Sequence, residues 1–498
     1  MDERGGPPRV SAAGPLLLVL DSGTSSTRAI LYDRAGTVHA HTARAITQHY
    51  PGPGLVEHDA EEIWTETLAC AREMVTAAGG AACIAAIGIT NQRETVVAWD
   101  RRSGKPLARA IVWQDRRTAG ACEALRAAGH EPLVQRRTGL RLDPYFSATK
   151  LRWLLDHEPQ VRAAGPDLAL GTVESWLAFK LSGAHLTDVT NASRTLLFAL
   201  DGADWDDELL ALFGIPRAAL PRIVPNCGRL AVTRAEHLGA AIPITGLIGD
   251  QQAATLGQAC LAPGQAKATL GTGAFVLVNV GTSPPADPGR LLGTILCEVG
   301  GQRHFALEGS VFAAGSLIKW LRDQLGLIIS SDETEALARS VPDNGGVTLL
   351  PALSGLGAPY WKPDATAVIA GLTFSATRAH IARAALEAVG HQLSDLAAAF
   401  AAAGAPWHDL RIDGGMAAND WLAQDLADLT NLAVTRPADV ETTALGAAMV
   451  AAVGAGIHPD LGTAAAAMTR PGRTFAPVDR PALRKTRLDA WHALLARA

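Results

Sequence analysis

A duplicated α/β fold, two domains with a cleft between them, is what this sequence predicts, and three observations predict it. The chain has 498 residues, long for one hydrophobic core and in keeping with two large domains. A strand, a run of glycine and hydroxyl residues and a second strand occur near the start, LLLVLDSGTSSTRAILYD at 16–33, and again midway, AKATLGTGAFVLVNV at 266–280. Strands alternate with helical periodicity in both halves, as in a sheet covered by helices. The boundary falls within GQACLAPGQ at 257–265 and divides the chain into 14–257 and 258–498.

Taken in order, LLLVL and RAILYD are strands, Arg34-Ala35-Gly36 is a turn, and TVHAHTARAI alternates as the third strand of a meander. The stretch AEEIWTETLACAREMVTAA at 60–78 has helical spacing with Ile63, Leu68 and Met74 facing inward, and IAAIGIT at 84–90 returns to strand. In the second half ARAALEAVGHQLSDLAAAF is helical, and LRIDGGMAANDWLAQDLADLT reads as strand, glycine turn and helix. ALGAAMVAAVGAGI at 444–457 is short of the ~20 apolar residues that span a bilayer, so it reads as a buried helix with a small-residue face.

A hydrophobic content of 48%, a charged content of 19% and a net charge of -5 describe a soluble globular chain. Nothing in that balance attracts nucleic acid or anionic lipid. The six cysteines are scattered without a Cys-x-x-Cys pair, which suggests neither a disulfide framework nor a zinc site and fits a reducing cytoplasm. The opening MDERGGPPRV is acidic and proline-bearing, and the apolar run Leu16–Leu20 after it is too short for a secretory signal. His39 and His41 read as surface residues of one strand rather than metal ligands.

The loop of Ser22, Gly23, Thr24, Ser25 and Ser26 offers backbone N–H groups and hydroxyls suited to phosphate oxygens. Asp21 before it can orient a magnesium ion, usually through water, and Arg28 after it supplies positive charge. The stretch reads equally as a hydrophilic hairpin in which Asp21 satisfies local amides. Gly271, Thr272 and Gly273 offer a matching donor set, although alone they read as an ordinary tight hairpin, and Gly414-Gly415 before a helix can accept a flat ring or a phosphate. No G-x-x-x-x-G-K-[ST] loop exists, since Gly104-Lys105 is followed by proline, and the protein-kinase signature set is missing. In isolation Arg93-Glu94 reads as a solvated hairpin tip, Asp250 as a helix N-cap, and Trp113, Tyr145 and Phe275 as core aromatics.

In sequence order, DSGTSSTR, PGLVEHDAEEIW, GITNQRET, AIVWQDRRT, TGLRLDPYFSATK, TDVTNASRTLLF, IGDQQAA, GTGAF, LPALSGLGAPYW and DGGMAAN resemble the FGGY carbohydrate kinase family, in its glycerol-phosphorylating branch. GLTFSATRAHIARAALE is similar to that family's carboxy-terminal signature. The resemblance implies an actin-like, ribonuclease-H-like duplicated fold, ATP and Mg²⁺ as cofactors, glycerol as acceptor, and a homodimer or homotetramer. It matches Thr24, Ser25, Ser26, Arg28, Thr272, Gly315, Lys319, Gly415 and Asn419 to nucleotide contacts. Arg93, Glu94, Trp113, Tyr145, Asp250, Gln251 and Phe275 match the residues around glycerol, with Asp250 the catalytic base. Lys319, Ser22 and Leu55 stand where the family usually has glutamine, glutamine and tryptophan. The glycine-rich loop with which some members bind fructose bisphosphate is not evident in RLAVTRAEHLGAAIPI, so no inhibition by that ligand is expected.

That set makes chemical sense. Glycerol presents three hydroxyls, and each needs a partner in a pocket without water, where an unpaired donor or acceptor costs ~1–3 kcal/mol. Arg93 donates, Glu94 and Asp250 accept, Trp113 and Phe275 cover the carbon edge, and Tyr145 adds a face and a hydroxyl. Phosphoryl transfer passes through a loose transition state, so Asp250 serves by orienting the hydroxyl and accepting its proton late, even with a pKa near the ordinary ~3.9. The rival readings are another sugar or polyol kinase of the same family, or a non-catalytic, actin-like nucleotide-binding protein.

Overall fold

The computed structural model describes residues 14–362, 364–439 and 441–497; the opening MDERGGPPRV lies outside them. Strands β1 (Leu16–Ser22), β2 (Ser26–Tyr32) and β3 (Val38–Ala45) form the expected antiparallel meander. β1 is buried along its whole length, whereas β3 lies at the edge and exposes most of its residues, His41 among them. Helix α1 (Ala60–Ala77) begins where Asp59 accepts hydrogen bonds from the Glu61 and Glu62 amides, with two acidic residues in its first turn. Ile63, Leu68 and Met74 are buried, as the periodicity predicts. β4 (Ile84–Asn91) then returns parallel to β1.

Between β4 and β5 (Cys227–Val232) lies an insertion that the repeated strand units do not foreshadow. Val96–Asp100 pairs antiparallel with Leu168–Thr172, and Leu140, Phe146, Leu170 and Phe198 share a core of their own. β5 and β6 (Pro243–Gly249) complete a six-stranded sheet in the order β5-β6-β4-β1-β2-β3. Helix α2 (Asp250–Gly257) follows β6 without a loop.

The chain crosses to a second sheet through residues 258–264 and repeats the plan. β7 (Gln265–Leu270), β8 (Ala274–Gly281), β9 (Leu292–Val299) and β10 (Gln302–Val311) are successive antiparallel partners, with β8 pairing to β10 and β10 to β9. Helix α3 (Gly315–Asp323) and the long α4 (Arg378–Ala402) precede β11 (Asp409–Asp413), which lies parallel to β7. α4 extends the predicted helix at both ends, its start fixed by reciprocal hydrogen bonding between Thr377 and His380. After α5 (Asp420–Thr430) and β12 (Val434–Arg436) comes α6 (Thr442–Gly454), and β13 (Arg473–Phe475) closes the sheet. Its order is β9-β10-β8-β7-β11-β12-β13. The run β3-β2-β1-β4-β6 in one lobe is thus matched by β10-β8-β7-β11-β12 in the other, and the predicted duplication holds strand for strand.

The helix predicted at 444–457 is α6, which ends at Gly454 and leaves Ala455–Ile457 beyond it. Its small residues let it meet other backbone directly. A β-carbon at Gly446 would sit 1.8 Å from the Ala253 carbonyl oxygen on α2, and one at Gly257 would sit 1.9 Å from the Thr442 carbonyl oxygen on α6. Across the first sheet, a β-carbon at Gly88 would lie 2.7 Å from the Ala447 carbonyl oxygen. The last two-helix crossing, α2 on α6, is the joint between the lobes.

Candidate active site

The ends of β1, β4 and β6 lie side by side, which follows from parallel pairing with Asp21 beside Thr90 and Gly249 beside Asn91. Whatever follows these strands therefore gathers at one edge of the first sheet, beside the crossing. After β1 comes the hydroxyl-rich turn, closed by the Gly23 amide donating to the Ser26 carbonyl at 2.9 Å. Thr24 and Ser25 form its tip. Its flanks are pinned by Gln92 Nε2 donating to the Gly23 carbonyl at 3.0 Å and Trp113 Nε1 donating to Thr24 Oγ1 at 3.0 Å.

After β4 the chain makes an abrupt turn at Arg93-Glu94. Glu94 has φ +63°, and the Thr95 amide donates back to the Arg93 carbonyl at 2.8 Å. A γ-turn with positive φ at a residue other than glycine is strained, by ~1–3 kcal/mol. Neither residue is a solvated tip: both are 2% exposed. The adjacent opposite charges suggested a hairpin end because a short stretch cannot reveal charged partners a hundred residues or more away.

Those partners form a buried ionic cluster. Arg93 Nε lies 3.3 Å from Asp250 Oδ1 and 3.9 Å from Glu94 Oε1. Its Nη1 donates to Glu308 Oε2 at 2.7 Å and Gln252 Oε1 at 3.2 Å, and its Nη2 to Glu308 Oε1 at 3.2 Å and the Tyr145 hydroxyl at 3.4 Å. Arg194 donates from Nε to Glu94 Oε1 at 2.6 Å and from Nη2 to Glu308 Oε1 at 3.0 Å. Burial raises the Glu308 pKa, but Arg194 and Arg93 together outweigh it and hold the carboxyl down at about 2. Against the same desolvation, Glu308 and Glu94 keep the Arg93 guanidinium well protonated.

Asp250 is the first residue of α2; Gly249 occupies the capping position, so Asp250 is more than a cap. Its Oδ1 accepts from the Gln251 amide at 2.7 Å. Unlike the rest of the cluster, its side chain keeps 28% exposure. Desolvation raises its pKa to about 6, with Arg93 opposing the rise and Glu94 adding to it, in contrast to the ordinary value that sufficed on sequence grounds. Gln251, beside it, accepts from Lys267 Nζ at 2.7 Å. Trp113, Tyr145 and Phe275 are half-buried rather than core, with Trp113 edge-on to Tyr145 at 5.6 Å and to Phe275 at 6.3 Å between ring centroids. They wall the opening beside Asp250's cluster, with Phe275 coming from the second lobe.

In the second lobe the Gly271 amide donates to the Gly273 carbonyl at 2.9 Å, a tight hairpin between β7 and β8. The hairpin is also joined to α3: the Gly271 carbonyl accepts from the Gly315 amide at 2.8 Å, and the Thr272 carbonyl from the Ala314 and Ser316 amides, both at 3.0 Å. Gly315 and the exposed Lys319 lie one turn apart on α3 and share a face. At the third turn Gly414 has φ +84°, and no atom lies within 4 Å of where a Gly415 β-carbon would stand. Asn419 caps α5 through Oδ1, which accepts from Leu422 N at 3.0 Å, while its Nδ2 donates to Thr334 Oγ1 at 3.3 Å.

Arg28 is already paired within the protein. It lies opposite Asp21 in the β1–β2 register, 3.1 Å from Asp21 Oδ2, and its Nη1 donates to Glu441 Oε2 at 2.5 Å. Two carboxylates therefore already neutralise it. Asp21 is 2% exposed, its Oδ2 has no aligned hydrogen bond, and burial raises its pKa. Among the described residues no group of three or more His, Cys, Asp and Glu could hold a metal by itself. One buried, under-satisfied carboxylate nevertheless fits a magnesium ion that takes its remaining oxygens from water and phosphate.

Sequence reasoning missed Glu308, Arg194, Gln252 and Lys267. Glu308 and Lys267 each interrupt an apolar strand, in HFALEGSV and QAKATL, and an isolated charge there is the signal that could have found them.

A duplicated α/β fold that brings the hydroxyl-rich turn of one lobe, Phe275 of the other and a buried ionic cluster to one edge is an arrangement suited to a small-molecule phosphotransferase. The models for the N-terminal and C-terminal domains of the FGGY family of carbohydrate kinases match residues 16–257 and 266–455. The chain belongs to that family. Among its relatives, a glycerol kinase of Dechloromonas aromatica (strain RCB) is 54% identical over 97% of each chain. The crystal structure of Plasmodium falciparum glycerol kinase with ADP superposes at a TM-score of 0.92, with 35% identity, over 98% of this chain and 99% of that one. Xylulose kinase from Rhodospirillum rubrum superposes at 0.87 with 27% identity over 97% and 98%. Among the described residues no helix is long and apolar enough to cross a membrane.

Proposed function

We infer that this chain transfers the γ-phosphoryl group of ATP to a terminal hydroxyl of glycerol, giving sn-glycerol 3-phosphate and ADP, with Asp250 as the proton acceptor. The observation that carries the reading is the convergence of Arg93, Glu94, Tyr145 and Asp250 in one cluster beneath Trp113 and Phe275. It offers a donor, two acceptors, a phenol and an apolar wall, the complement of a three-carbon triol. Xylulose kinase shares the fold, so the fold does not choose between acceptors, whereas the likeness to glycerol kinases at half identity or more supports glycerol.

Thr24, Ser25 and Ser26 from the first lobe, and Thr272, Gly315, Lys319, Gly415 and Asn419 from the second, are the proposed nucleotide contacts. Arg28 reaches a phosphate only by leaving Glu441, and Asn419 uses its amide on ATP only by releasing Thr334. Asp21 would hold Mg²⁺, through water, and the ion when bound would neutralise phosphate charge. The in-line attack needs the hydroxyl held still, which Arg93 and Glu94 do by fixing the acceptor's other hydroxyls. Asp250 accepts the proton as the bond to phosphorus forms. The domain division at 257/258, a cytoplasmic location and assembly as a dimer or tetramer complete the reading.

The test is ADP release with glycerol, dihydroxyacetone, erythritol, xylulose and gluconate. Glycerol should give the highest kcat/KM, and either propanediol should fall below it by ~10⁴ or more, because a missing hydroxyl strands buried partners. A preference for xylulose or gluconate would move the chain to another substrate.

The Asp250 pKa gives a second expectation. The acceptor must be ionised, and burial places its pKa at about 6. Log kcat/KM for glycerol should therefore fall with unit slope below about pH 6 and be level above it, where an unperturbed aspartate would bend the profile near ~4. Initial rates from pH 4.5 to 8 at fixed ionic strength read this directly. The sign for folding is opposite: since the folded pKa is the higher one, proton binding at Asp250 stabilises the fold below the unfolded value, and that contribution is lost as pH rises through about 6.

A further inference from the structure

We propose that Glu308, a wholly buried second-lobe residue, is a positioning residue for transfer: it holds the Arg93 guanidinium by both Nη atoms and so keeps Arg93 from closing on the Asp250 carboxylate. The proposal rests on the reading of Asp250 as the acceptor.

The geometry is specific. An arginine guanidinium offers a carboxylate two bidentate edges, the Nη1/Nη2 fork and the Nε/Nη2 side, and both draw on Nη2. Here the fork belongs to Glu308, at 2.7 Å and 3.2 Å, and Asp250 is left with Nε at 3.3 Å. Glu308 is wholly buried on β10, and Arg194 Nη2 also reaches its Oε1 at 3.0 Å, which fixes its orientation. Arg194 in turn holds Glu94 Oε1 at 2.6 Å and lies over the Tyr145 and Phe146 rings, 5.6 Å and 5.1 Å from their centroids. The glycerol-facing ends of Arg93, Glu94 and Tyr145 are thus set from behind by one pair, Glu308 and Arg194. Because Glu308 belongs to the second sheet and Arg93, Glu94 and Arg194 to the first lobe, the acceptor pocket is complete only while the two lobes are in register.

The charges that face Asp250 come from every element around it: Arg93 and Glu94 after β4, Asp21 at the end of β1, and Lys267 on β7. Glu308 acts on this set through Arg93. Neutralising it leaves two buried guanidiniums with less compensation and frees Arg93 Nη2 to join Nε on Asp250 as a bidentate pair. A carboxylate so paired is a weaker acceptor and ionises at lower pH.

The experiment is steady-state kinetics of the full chain from pH 4.5 to 8 for Glu308→Gln and Glu308→Asp, with thermal unfolding to verify folding. In Glu308→Gln we expect kcat to fall by ~10-fold, KM for glycerol to rise by ~10-fold or more, and the acidic limb to move down by ~1 pH unit. In Glu308→Asp, which keeps the charge but is one methylene too short to span both Nη atoms, the limb should return toward wild type while KM stays raised. A purely structural part for Glu308 lowers stability or kcat and leaves the limb in place. If Glu308→Gln does not fold, Glu308→Asp decides through KM. An unmoved limb in the glutamine variant, or wild-type KM in the aspartate variant, overturns the proposal. Failure of the underlying reading is separate: it shows as transfer surviving Asp250→Asn.

Discussion

Asp250→Asn lowers kcat for glycerol by about 10²–10⁴-fold, the range for loss of a positioned proton acceptor. The substitution keeps the shape and the oxygen that accepts from the Gln251 amide at 2.7 Å, so α2 should begin as before. It leaves Arg93 with Glu308 and Glu94 as counterions, so the cluster stays paired and the acceptor site stays formed. Glycerol binding by calorimetry should accordingly change by less than about fivefold, a far smaller loss than in kcat. The variant should also lose the pH 6 limb, since the group that titrates there is gone. Turnover within tenfold of the wild type would remove Asp250 from the chemistry.

Gly446→Ala is expected to have the largest effect on folding. A methyl there must fit where the Ala253 carbonyl oxygen lies 1.8 Å from the β-carbon position, and neither partner can turn aside because both are helix backbone. The helices must separate along their whole contact, and overpacking of this kind costs about 3 kcal/mol or more. For a chain of this size that lowers the thermal transition by roughly 3 °C or more. Gly257→Ala, with its β-carbon 1.9 Å from the Thr442 carbonyl oxygen, should do the same. Gly120 has no atom within 4 Å of its β-carbon position, and Gly120→Ala should be neutral or slightly stabilising. Because α2 carries Asp250, the crossing variants should lose activity at temperatures where they remain folded. Differential scanning calorimetry with parallel rate measurements compares the three, and equal transition temperatures would dismiss the close helix contact.

What was legible in the sequence was local. The two strand-turn-strand units, α1 with its inward Ile63, Leu68 and Met74, and the small-residue helix near the end depend on spacing within a few residues, and the structure has all of them. The insertion between β4 and β5 was not legible, because its strands Val96–Asp100 and Leu168–Thr172 pair across some seventy residues of helices and loops. The Arg93-Glu94 pair shows the same limit at the site. Two adjacent opposite charges look solvated until Glu308, 215 residues on in sequence, and Arg194, 100 residues on from Glu94, enclose them. The family resemblance supplied roles for Arg93 and Glu94 that their own neighbourhood did not. It supplied none for Glu308 or Arg194, whose importance emerges only when the two sheets are brought together.

The joint between the lobes has a mechanical corollary. Helices whose backbones meet through glycine and carbonyl groups are held at a fixed separation, so any relative motion of the lobes is a turning about this contact rather than a parting at it. A point near the axle of a turning joint travels little, and a point on the rim travels far. Asp250 sits at the end of one of the two helices, while Thr24 and Thr272 are carried at hairpin tips. Under such a turning, the proposed nucleotide contacts at those tips would move more than the proposed proton acceptor, which lies next to the contact.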